Sequence, residues 1–108
     1  MGSIIPAIDD RVKAQVLMIG GFSMQQSQPE VDQINFTSRV KVPVLMLNGR
    51  YDFFFPVDAS QRPMFEAFGT PKEDKRHILF EGGHNLPRMD MIRETLNWLD
   101  RYQPVAPR

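Results

Sequence analysis

The sequence predicts an α/β domain: a partial parallel sheet of about three strands with flanking helices. Two observations carry this expectation. Short, almost unbroken apolar runs recur along the chain, each closed by glycine, as strands covered on both faces by helices are. Segments with helical apolar spacing separate the second run from the third and follow the third. At 108 residues, 42% of them hydrophobic, the chain has material for one modest core.

The elements read in order as strand, long loop, strand, helix, strand, helix. Met1, Gly2 and Ser3 read as an added start, with native sequence beginning near Ile4. Residues 14–19 form the first apolar run, ended by Gly20 and Gly21. Residues 23–39 are rich in Gln, Ser, Pro and Asn and predict a loop, with one helical turn around 30–34. That length is unusual for a bare connection in a compact domain. Residues 42–47 form the second run, ended by Asn48 and Gly49.

A helix is expected over 64–68, with Pro63 in its first turn and Gly69 as the C′ residue. A longer helix from Val57, kinked at Pro63, is the alternative. Residues 77–80 form the third run, ended by Gly82 and Gly83. The last helix has Met89, Ile92, Leu96 and Leu99 on one stripe, with Trp98 and Tyr102 beside it. That stripe is expected to face the core.

Composition excludes several functions. The 13 basic and 13 acidic residues balance to a net charge of +0, so nucleic acid and acidic membrane surfaces are not expected partners. With no cysteine, there is no disulfide, thiolate metal site or Cys nucleophile. No run approaches the length of a membrane helix, and the N-terminus lacks the plan of a signal peptide. A cytoplasmic location is the expectation, and no cofactor motif is present.

The chemistry sits at two strand ends. The second run leads into Asn48-Gly49-Arg50-Tyr51-Asp52, and the third into Glu81-Gly82-Gly83-His84. In parallel sheets the ligand crevice lies beyond the carboxyl ends of the strands, so neighbouring strands bring Asp52 and His84 to one rim. There a carboxylate can accept the imidazole Nδ1–H and leave Nε2 free as a base.

Pro43-x-Leu45-x-x-x-Gly49-x-x-Asp52-x-x-x-Pro56, then a short helix, a strand and Gly82-Gly83-His84, resembles the closing section of the α/β-hydrolases. It is most similar there to the dienelactone-hydrolase and prolyl-oligopeptidase-like esterase groups. The resemblance spans about 14–102 and implies that Asp52 is the triad acid and His84 the base. It also implies that the strands are the last three of eight, in a C-terminal fragment of a hydrolase of small-molecule carboxylic esters.

In that family the nucleophile sits earlier, on a G-x-S-x-G elbow. The nearest match, Gly21-Phe22-Ser23-Met24-Gln25, makes Ser23 the candidate nucleophile but puts Gln where the last Gly belongs. No helix-forming segment follows it, and the family alignment places residues 16–19 one strand after the elbow. The second oxyanion donor, which the family takes from an earlier strand's loop, has no counterpart. The alternative is a non-catalytic, self-associating module or remnant lacking its own nucleophile.

Other residues have plainer readings. His77, beside Lys75 and Arg76, reads as a partly exposed structural residue. Phe53, Phe54 and Phe55 read as loop packing, with an acyl-pocket lining as the alternative. The first strand, left as a sheet edge without a guarding Lys or Pro, is expected to pair with a second copy of the chain in a homo-oligomer.

Overall fold

The computed structural model describes residues 3–22, 32 and 35–102. Six elements carry the fold: helix α1 (Ile4–Ile8), strand β1 (Gln15–Met18), strand β2 (Val44–Gly49), helix α2 (Arg62–Ala67), strand β3 (Lys75–Phe80) and helix α3 (Arg88–Tyr102). The three strands form one parallel sheet in the order β1-β2-β3. Val16 pairs with Leu45, and Met46 with His77. The expected α/β class with three parallel strands is what the chain adopts. Each strand extends or trims the expected run by a residue or two.

The central strand explains the unbroken apolar runs. Every residue of β2 is buried, and its alternating side chains feed two cores. Val44 and Met46 pack with Val40, Met64 and Phe68 on the α2 face. Leu45 and Leu47 pack against Trp98 of α3 on the other. The flanking strands β1 and β3 are only partly buried, as edges of the sheet.

Helix α2 is preceded by a wide π turn over Val57–Gln61, so the helical path starts at Val57 with Pro63 near the α-helical N-terminus. The helical path is thus the longer one from Val57, with a π turn in place of a single α-helix. Gly69 does not supply a left-handed cap, since no glycine among the described residues has positive φ. It is needed for space instead: a Cβ there would overlap the Ser38 carbonyl oxygen. The end of α2 is capped by Lys75, whose Nζ donates to the carbonyls of Phe65 at 2.8 Å and Phe68 at 3.2 Å.

Helix α3 is rotated from the expected orientation. Met89 is 74% exposed and Leu96 56%, with Ile92 also exposed, so the predicted core stripe largely faces away from the core. Trp98 decides the rotation. It is the bulkiest side chain of the helix and is buried on Leu45 and Leu47, with Met91 and Tyr102 packed beside it.

Two local features were not anticipated. Helix α1 lies in a stretch that the sequence pattern leaves unassigned, and Ala7 packs on the α2-side core. Ser3 is buried, and its Oγ accepts a hydrogen bond from Thr37 Oγ1 at 2.7 Å. The helical turn expected at 30–34 lies outside the described residues except for Asp32; a short 3-10 turn appears later, at Thr37–Arg39.

Candidate active site

The loops that leave β2 and β3 interlock through their backbones. Arg50 N–H donates to the Phe80 carbonyl at 2.9 Å, and Tyr51 N–H to the Gly82 carbonyl at 2.9 Å. The approach is so close that a Cβ on Gly49 would lie 2.6 Å from the Gly82 oxygen and overlap that of Gly83. Only glycine fits there. Arg50 and Glu81 add an exposed ion pair at 3.0 Å, a weak contribution in water.

This interlock brings Asp52 and His84 together. Asp52 Oδ2 accepts from His84 Nδ1 at 2.8 Å, while Oδ1 accepts the N–H groups of Phe54 at 2.8 Å and Phe55 at 3.1 Å. The Asp52 side chain is 0% exposed, so its charge is removed from water and balanced by three donors. The His84 side chain is 35% exposed, and its Nε2 makes no hydrogen bond to the described residues. A carboxylate only accepts, so the shared proton sits on Nδ1 and Nε2 carries the free lone pair. Such a pair can take a proton from a nucleophile and hold the resulting imidazolium.

Aromatic rings surround the imidazole. Phe54 lies 5.0 Å and Phe55 5.9 Å from His84, centroid to centroid, and Phe53 stacks on Phe54 at 4.3 Å. Loop packing describes Phe55 but not its neighbours, since Phe53 is 77% and Phe54 57% exposed. Both belong to the rim. Ser23 lies outside the described residues. The chain just before it is tethered to the π turn, where Ser60 Oγ donates to the Phe22 carbonyl at 2.6 Å.

A second polar cluster, under the Asp52 loop, escaped sequence reasoning. His77 Nε2 lies 3.2 Å from Asn48 Oδ1 and 3.2 Å from Gln61 Oε1. Burial, and then the nearby Arg62 charge, push the His77 imidazole down to about 4, so it is neutral at pH 7. Asn48 and Gln61 are both fully buried. The one signal for them in the sequence was their polarity next to apolar runs, which any loop residue shares. At the end of β1, Ile19 takes φ 54°, a left-handed conformation that costs a β-branched residue roughly 1–2 kcal/mol. Its N–H is held by the Leu47 carbonyl at 2.8 Å.

Among the described residues, no three His, Asp or Glu side chains gather as metal ligands, and no helix is long and apolar enough to cross a membrane.

Comparison with known proteins bears on the fold and the family. A cold-adapted esterase from an Arctic intertidal metagenomic library superposes with TM-score 0.74 and 23% identity, over 91% of this chain and 42% of that one. A Thermus thermophilus protein gives TM-score 0.76 at 21% identity, over 96% and 50% of the two chains. A monoacylglycerol lipase from Paleococcus ferrophilus gives TM-score 0.56 at 27% identity, over 66% and 29%. The chain thus has the α/β-hydrolase fold and spans half or less of the length of each of these proteins. No curated protein sequence matches it. The family model described as serine hydrolase (FSH1) matches residues 7–96, nearly the whole chain, and the chain therefore belongs to that serine hydrolase family.

Proposed function

We propose that this chain supplies the acid–base half of a Ser-His-Asp triad in a hydrolase of small-molecule carboxylic esters, with Asp52 as the acid and His84 as the base. The observation that carries this reading is the 2.8 Å contact between a fully buried Asp52 carboxylate and His84 Nδ1. In the acylation step Nε2 takes the serine hydroxyl proton as Oγ bonds to the ester carbonyl carbon. The same nitrogen then returns that proton to the departing alkoxide, and water repeats the cycle to release the acid. The exposed rings of Phe53 and Phe54 offer an apolar wall beside the imidazole for the acyl or alcohol group.

The chain spans at most half of the superposed proteins, which supports a nucleophile on a preceding segment of the complete fold, with Ser23 as the alternative within this chain. The deciding experiment measures p-nitrophenyl ester turnover and fluorophosphonate labelling for the complete fold, nucleophile segment included, and for its variants. His84→Ala should lower turnover by about 10²-fold or more. Unchanged turnover in His84→Ala sinks the assignment, and labelling lost in Ser23→Ala moves the nucleophile to Ser23.

The edge of β1 supports self-association as a second feature. Met18 on that strand is exposed, and β2 pairs with one side of β1 only. Among the described residues β1 is an outer strand of the sheet, and a second copy of the chain adding there would extend it. Size-exclusion chromatography with light scattering at micromolar concentration tests this, and a monomer overturns it.

A further inference from the structure

We propose that His77 is a positioning residue for the acid loop, acting through Gln61 and Asn48; this rests on the reading of Asp52 and His84 as the acid–base pair. Gln61 Nε2 donates to the Gly49 carbonyl at 3.0 Å and to the Phe55 carbonyl at 2.6 Å. Those two carbonyls bracket the loop that holds Asp52, one on each side. Asn48 Nδ2 donates to the Gly20 carbonyl at 2.7 Å, in the chain that leaves β1. One buried network therefore ties the carboxyl ends of β1 and β2 to the start of the helical segment after the acid loop.

His77 supplies the donor that meets both amide oxygens. Each NH₂ group is committed to a backbone carbonyl, so both amide oxygens turn toward His77 Nε2, at 3.2 Å each. Two acceptors facing one nitrogen require an N–H there, which makes His77 the Nε2–H tautomer. The Phe65 ring packs on the imidazole at 5.5 Å and fixes its plane. Without that donor both buried oxygens lose their partner, and each amide lowers that cost by swinging out of the buried site. The Gly49, Phe55 and Gly20 carbonyls are then released together. His77 and His84, the two histidines of the sequence, are thus held in opposite tautomers for opposite tasks.

Long-range ¹H–¹⁵N correlation spectra of the imidazoles test this without any turnover measurement. In the native protein His77 is expected as Nε2–H and His84 as Nδ1–H. In His77→Phe the Nδ1–H share of His84 should fall while the remaining amide spectrum stays native-like, and His77→Gln, which keeps a donor at that reach, should restore it. A residue that only adds stability would leave the His84 tautomer unmoved in a folded variant. If His77→Phe does not fold, Gln61→Met removes the same bridge and is read in the same way. His84 staying Nδ1–H in the folded variant overturns the positioning role, as does native His77 in the Nδ1–H form. A native His84 without an Nδ1–H preference instead overturns the acid–base reading, and the positioning role with it.

Discussion

His84 Nδ1 stands 2.8 Å from Asp52 Oδ2 because the backbones that carry them touch at Gly49 and Gly83. The pair is set by main-chain geometry before any side-chain rotamer is chosen. Two loops that each leave a parallel strand are pinned by the Arg50 and Tyr51 amides to carbonyls of the neighbouring strand end. The buried carboxylate then has one oxygen for its own loop and the other for the imidazole.

Asp52→Asn should keep this geometry and invert its chemistry. The asparagine oxygen can still accept from the Phe54 and Phe55 amides, which turns its NH₂ toward His84 Nδ1. Nδ1 must then accept, and the proton moves to Nε2, the nitrogen a base needs free. Ester turnover should drop by roughly 10⁴, the loss that the same change causes in triads of other folds. Nitrogen-15 spectra should show His84 as Nε2–H, and retention of Nδ1–H would refute this account.

Gly49→Ala should be among the most damaging single-methyl additions in the chain. The new Cβ meets two backbone carbonyls, and backbone cannot swing aside as a flexible side chain can. Overpacking of this kind costs about 1–3 kcal/mol, and here it also parts the Asp52 loop from the His84 loop. Urea denaturation should show that loss, accompanied by a fall in turnover larger than Phe54→Ala produces.

Legibility of the sequence followed how locally each feature is determined. The runs at 14–19, 42–47 and 77–80 marked the strands because continuous apolarity has one explanation in a short α/β chain, as the burial of all β2 residues bears out. The adjacency of Asp52 and His84 follows from strand order, once consecutive strands are neighbours. What stayed hidden depends on contacts between distant segments. Met89, Ile92 and Leu96 have helical spacing, but spacing cannot say which side of α3 the sheet occupies. Gln61 is an ordinary polar helix residue until the Gly49 and Phe55 carbonyls close over it. Gly69 ends a helix in sequence, yet its need for glycine comes from Ser38, far along the chain.

The observed rotation of α3 makes a sharp contrast between its two sides. Trp98→Ala removes the side chain that joins Leu45 and Leu47 to the helix and should cost about 3–5 kcal/mol. Met89→Lys and Leu96→Lys, on the exposed side, should each stay within about 0.5 kcal/mol of the native chain. Thermal melts of the three variants settle the orientation. Equal losses in all three would mean that the stripe, and not Trp98, faces the core.

Acid should weaken the fold partly through His77. Its folded value is pushed down to about 4 by burial and then by Arg62, whereas an unfolded histidine takes up its proton near about 6.5. Between these values the unfolded chain binds more protons than the folded one, so stability falls as pH falls. The contribution is intact above about pH 6.5 and is lost progressively down to about pH 4. His77→Gln has no such proton to gain, while His84 and the carboxylates are common to both proteins. Urea denaturation from about pH 7.5 to about pH 4.5 should therefore show the native chain losing stability faster than His77→Gln. Parallel slopes across that window would mean that His77 protonates as readily in the fold as out of it, and that burial and the Arg62 charge do not hold it neutral.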